Sequence, residues 1–126
     1  MDELLRSGIR LFNDRRFFEC HEALQEAWTP ERGPRRLFLQ ALIHLAVGFH
    51  HSQRGNPDGA CGQLRKGLRK LAGYVPSRET IDTARLHREA LAALERIEGG
   101  GPVSEYPRIH THRSPRGIRR YSRFDS

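Results

Sequence analysis

Apolar residues recur along this chain with a helical period and nowhere with the sustained alternation of a strand; five such stretches follow one another between residues 2 and 98. The first runs from about Asp2 to Phe12, with Leu4, Leu5, Gly8, Ile9, Leu11 and Phe12 forming one stripe. Two acids stand in its first turn, where they complement the helix dipole. Asn13-Asp14-Arg15-Arg16 breaks it. The second, Phe17 to Trp28, ends at Thr29-Pro30, because a proline pushes the residue before it out of the helical region. The third, about Pro34 to Gln53, is the most apolar and carries apolar residues on more than one face, which predicts a central helix. At Arg54-Gly55-Asn56-Pro57 the chain supplies a glycine for a left-handed C-terminal position, an asparagine to cap the next helix and a proline for its first turn. That fourth helix spans about Pro57 to Gly73 on Ala60, Leu64, Leu68 and Leu71. Ser77 is the expected cap of a fifth, ending near Glu98, with the stripe Ile81, Ala84, Leu86, Leu91, Leu94 and Ile97.

The fold class these patterns predict is all-α: a single five-helix bundle of antiparallel hairpins over residues 1–98. From Gly99-Gly100-Gly101-Pro102 onward the period is lost, and 99–126 reads as an extended or disordered basic tail. An internal echo at about 40 residues sets Phe12 on Ser52, Cys20 on Ala60 and Trp28 on Leu68. It resembles helical-hairpin repeats of the tetratricopeptide kind, although the period is too long.

The 126 residues suit one domain with a modest core. The formal charge of +7 is unevenly placed: residues 1–98 hold 16 basic side chains against 13 acids, whereas 99–126 hold six arginines against two acids. Cys20 and Cys61 have no metal-type spacing and are expected to be small buried thiols. No run of about 18 apolar residues suggests a membrane span, and MDELLRSG does not read as a signal peptide. The expectation is a soluble, cytoplasmic protein.

The stretch LFNDRRFFECHEALQEAW, followed by RRLFLQALIHLAVGFHHSQRGNPDGACGQLRKGLRKL, resembles the small helical family known as domain of unknown function 309, over about residues 4–75. Phe12, Asn13, Phe18, His21, Glu22, Trp28, Leu39, Gln40, Gly55, Asn56, Gly59 and Ala60 carry the resemblance. It implies a compact helical bundle and no particular activity or ligand. Gln25 stands where many members carry Glu, and His44 where Gln is usual.

Candidate chemistry centres on His21, Glu22, Glu26, Trp28, Gln40, His44 and His51. His21-Glu22 opens H-E-A-L-Q where a zinc protease helix needs a second histidine, so Gln25 argues against that site. A carboxylate di-metal bundle needs Glu-x-x-His pairs that this chain lacks. A single divalent metal on His21, Glu22 and His44 is the remaining metal alternative; no other cofactor is expected. The plainer reading has His21 inward between Phe17 and Trp28, with Glu22 and Glu26 at an edge paired to Arg35, Arg36 or Arg54. Cys20 and His21 are adjacent on a helix and point about 100 degrees apart, which disfavours a thiol–imidazole pair. In the tail Arg108, Arg113, Arg116, Arg119, Arg120 and Arg123 are interleaved with Tyr106, Tyr121 and Phe124, a composition suited to phosphates and bases. Three functions follow in order of expectation. The first is a non-catalytic module acting on a protein partner or a second copy through an exposed apolar groove. The second is a metal-binding protein or metal-dependent hydrolase. The third is a nucleic-acid-binding accessory acting through the tail.

Overall fold

The computed structural model describes residues 2–112. Five α-helices make up the described chain: α1 (Glu3–Asn13), α2 (Phe17–Trp28), α3 (Gly33–Gln53), α4 (Pro57–Leu71) and α5 (Thr83–Glu98), with a 3-10 turn at Ala72–Tyr74. The all-α bundle expected from the periodicity is the architecture found. Asp2, Asn56 and Asp82 cap α1, α4 and α5 by accepting the backbone N–H of Leu5, Gly59 and Arg85 at 2.8, 3.0 and 3.0 Å. No helix is long and apolar enough to cross a membrane among the described residues.

The fifth helix starts later than Ser77 predicts. Residues 78–81 close a tight turn in which Arg78 and Ile81 exchange backbone bonds of 3.1 and 2.8 Å, with Glu79 and Thr80 left-handed (φ 49° and 66°), so Asp82 becomes the cap. The buried stripe shifts with it to Thr83, Leu86, Ala90, Ala93, Leu94 and Ile97, leaving Leu91 exposed.

Each helix packs chiefly on its neighbours in chain order, α3 on α4 most extensively. The echo at about 40 residues extends into the packing. Gly8 of α1 lies so close to α2 that a Cβ there would sit 2.6 Å from Leu24, and Gly48 of α3 repeats this against Leu64 of α4 at 2.8 Å. Cys20 and Ala60 are both fully buried where the second helix of each hairpin crosses the first. The turns match as well. Arg15 and Arg16 donate to Phe12 and Leu11, as Gly55 and Asn56 donate to Ser52 and His51. Both turns need a left-handed residue, which is Gly55 (φ 74°) in the second hairpin and Arg15 (φ 63°) in the first.

The core centres on Phe12, Phe17 and Phe49, whose rings lie 5.1–6.0 Å apart. Tyr106 completes this cluster, 5.3 Å from Phe17 and 5.5 Å from Phe49. Residues 101–112, which form no helix, therefore lie as a strap docked on the helices. Ile109 is 3% exposed, and Asn13 holds its backbone from both sides (Nδ2 to the Ile109 carbonyl 3.0 Å, Ile109 N–H to Oδ1 2.7 Å). The strap then pairs with the turn before α5, through Asp82 N–H to the His110 carbonyl (2.8 Å) and His112 N–H to the Thr80 carbonyl (2.7 Å). Apolar side chains at Val103, Tyr106 and Ile109 drive the docking, and irregular spacing hides them from a period search.

Candidate functional site

The polar residues picked out from the sequence do not gather into one centre. On α2 the inward line is Phe17, Cys20, Leu24 and Ala27, so His21 stands one step around the helix from Cys20, at the edge. Its imidazole meets Phe18 (5.9 Å between ring centres), which in turn meets His50 (5.4 Å); the expected place between Phe17 and Trp28 is corrected. Phe18 remains 48% exposed. Burial, with Arg54, His51 and His21 nearby, holds His50 below the ordinary imidazole value. Gln40 and His51 are half-buried on α3, and His51 Nδ1 lies 3.4 Å from Asn56 Nδ2. His44 is half-buried, with Nδ1 2.8 Å from Gln63 Oε1 of α4. Desolvation depresses its pKa against the Gln63 bond, and Lys70 and Lys66 push the same way. Six residues at about 1.5 Å each separate His44 from His50, so His21 sits beside the far end of α3. Glu22 is exposed. Among the described residues no group of three or more His, Cys, Asp or Glu side chains is arranged to hold a metal ion. That arrangement gives the set His21, Glu22 and His44 no support.

The polar clamp expected at the helix junction exists, with different carboxylates. Arg35 at the start of α3 gathers Asp2, Glu31 and Glu79, at 2.8 Å to Glu31 and 2.9 Å to Glu79, tying the α1 cap, the α2–α3 loop and the turn before α5 to one guanidinium. Burial raises the Asp2 carboxyl, but the Leu5 N–H and the Arg35 charge outweigh it and leave the group below its usual range. Arg36 lies 3.7 Å over the Trp28 ring and donates to the carbonyls of Trp28 (3.3 Å), Thr29 (3.4 Å) and Glu31 (3.1 Å), satisfying the open end of α2. Glu26 is exposed beside this clamp, on a shallow cleft of about 320 Å³ shared with Asp2, Glu31 and Arg35. Both cysteines are buried and free; burial pushes the Cys20 thiol up to about 12 and raises that of Cys61.

A cleft of about 630 Å³ lies between α5 and the strap. One face of α5 supplies Arg85, Glu89, Ala92, Ala93 and Arg96. The α1–α2 turn adds Asn13 and Arg15, and the strap adds Val103 to Arg108 and His110. Four arginines against Glu89 and Glu105 leave an excess of two positive charges. Each guanidinium is oriented: Arg85 Nε by Glu89 (2.9 Å), Arg96 Nε by the Pro102 carbonyl (3.0 Å), Arg108 Nη1 by the Asn13 carbonyl (3.3 Å), and Arg15 by the Tyr106 ring (5.7 Å). A second cleft of about 600 Å³ shares Val103 and Tyr106 with it and has no charged side chain in its lining. Of the four arginines only Arg108 belongs to the basic tail that the composition marks out. Arg15, Arg85 and Arg96 look like ordinary solvated positions until the strap closes over them. The one signal in the sequence was Arg15, which stands where the echo places Gly55. Arg113, Arg116, Arg119, Arg120 and Arg123 lie outside the described residues.

Comparison with known proteins agrees with the resemblance seen in the sequence. The family model "Domain of unknown function (DUF309)" matches residues 5–62. The uncharacterized protein YpuF of Bacillus subtilis (strain 168) is 33% identical over 98 residues, which cover 75% of this chain and 55% of the relative. An uncharacterized protein of Aquifex aeolicus (strain VF5) is 24% identical over 108 residues, covering 85% of this chain and 31% of the relative. The chain thus spans about half the length of one curated relative and a third of the other.

Proposed function

Residues 5–62 carry the DUF309 domain, whose description names no activity, and from the geometry around it we propose that the protein is a non-catalytic binding module that takes an anionic ligand in the cleft between α5 and the strap. The observation that carries this reading is the lining itself: four arginines in a concavity of about 630 Å³, within the usual size of a ligand site. Arginine stays protonated at any physiological pH, so it binds and orients anions but does not shuttle protons. His21, His44 and His51, the candidates of the sequence, are absent from this lining, where the arginines stand with His110 from the strap. The test is calorimetric titration of the full chain with tripolyphosphate at low salt. Arg85→Ser is expected to weaken binding by about tenfold, the scale of one lost charge-assisted contact, while Arg69→Ser on α4 leaves it unchanged. Absence of binding, or equal loss in both variants, overturns the reading.

A second reading, self-association or capture of a protein partner, is favoured by one observation: Phe18 is held between the His21 and His50 rings yet stays half exposed. A wild-type dimer that Phe18→Ser converts to monomer in sedimentation equilibrium supports self-association. A monomer in both overturns it.

A further inference from the structure

Resting on the reading of the cleft as an anion site, we infer that its ligand is a single strand of nucleic acid whose phosphates are taken by the guanidiniums of Arg15, Arg85, Arg96 and Arg108. A duplex is read by an element that protrudes into a groove, whereas this surface is concave and admits a strand. The cations are arginines, whose planar forks match phosphate oxygens and whose faces accept stacked bases. Their side chains are fixed in advance. Arg85, Arg96 and Arg108 each place a hydrogen bond on Glu89, Pro102 or Asn13 and keep the remainder of five N–H donors for a ligand. Val103, Pro107 and Ala92 give the same cleft apolar walls for sugars and base faces.

Arg15 is the most informative of the four. Its turn repeats the turn at Gly55 bond for bond, and a left-handed backbone there costs an arginine what it does not cost a glycine. A non-glycine residue held in that conformation at the lip of a basic cleft is the kind of outlier from which a function is read. A polymer is favoured over a free nucleotide by the sequence that follows. Arg113, Arg116, Arg119, Arg120 and Arg123, with Tyr121 and Phe124, continue the chemistry of the cleft beginning three residues after His110.

The experiment measures fluorescence anisotropy of a labelled, mixed-sequence single-stranded RNA against the full chain over a range of salt, with the matching duplex, tripolyphosphate and poly-glutamate as competing arms. Each phosphate contact contributes roughly 0.7 to the slope of log affinity against log salt. Arg15→Gly and Arg85→Ser are each expected to flatten that slope by about 0.7, and Arg69→Ser to leave it alone. Because glycine removes the left-handed cost at position 15, weaker binding by Arg15→Gly does not arise from a damaged fold. The single strand should outcompete both the duplex and poly-glutamate. Equal or tighter binding of either one overturns the inference, as does a slope that responds only to Arg119→Ser with Arg120→Ser and not to the cleft variants. If tripolyphosphate binds in the cleft and the strand does not, the inference fails and the anion reading stands; if neither binds, both fall.

Discussion

At the scale of single residues, Arg15 joins two requirements that pull in opposite directions. Its φ of 63° is a conformation that costs an L-residue roughly 1 kcal/mol, and the matching position of the second hairpin uses glycine. Arg15→Gly is therefore expected to stabilise the fold by up to about 0.5 kcal/mol, once the extra flexibility glycine gives the unfolded chain is subtracted; a urea unfolding curve measures it. The same substitution should weaken anion binding, and this opposition of sign separates a binding residue from a structural one. The cysteines give a simpler expectation. With Cys20 fully buried and its thiol pushed up to about 12, and Cys61 buried beside α5, iodoacetamide should label neither in the native protein at neutral pH and both after unfolding. Rapid native labelling of Cys20 would show that α2 does not pack as described.

At the scale of elements, the strap is what distinguishes this structure from a bare bundle. It contributes a ring to the phenylalanine cluster and a buried isoleucine, and it forms one wall of the cleft. Ile109→Ala should cost about 2–4 kcal/mol, the range for truncating a fully buried aliphatic side chain. A solvated tail predicts a change near zero, so equilibrium denaturation distinguishes the two directly. The hairpins were far more legible. Caps, prolines and the apolar period located four of the five helices to within a residue or two, because those signals act within a turn of the helix they govern. The late start of α5 escaped because residues 78–82 follow a turn whose partners, Arg35 and His112, are distant in sequence.

At the scale of the whole molecule, electrostatics sets how stability should respond to pH. His44 is held below its ordinary value of 6.5 in the folded state, so on acidification the unfolded chain takes up its proton first. Stability that is complete above the unfolded value is lost as pH falls through 6.5 toward the lower folded value. Asp2, whose folded pKa is also lowered, adds a further loss at more acidic pH as its bond to Arg35 is neutralised. Denaturation midpoints should therefore fall between about pH 7.5 and about pH 5.5, and His44→Gln should reduce that dependence. An unchanged dependence in the variant would assign it to other groups, His50 first among them.

The sequence by itself determined the helical class, the hairpin order, the Asn56 cap of α4 and the burial of both cysteines, because each follows from local periodicity or from a residue's own chemistry. Only the tertiary structure decided which polar residues meet. His21 joined Phe18 and His50 because the inward line of α2 runs through Cys20, one step away, and a difference of about 100 degrees in helix phase is not fixed by a stripe that mixes aromatic and polar residues. The clamp formed on Arg35 with Asp2, Glu31 and Glu79 instead of Glu22 and Glu26, and the basic cleft arose from arginines 11 to 93 positions apart in the chain. Pairings at such separations depend on how helices and strap dock, a choice made by the whole core and written in no single stretch of residues.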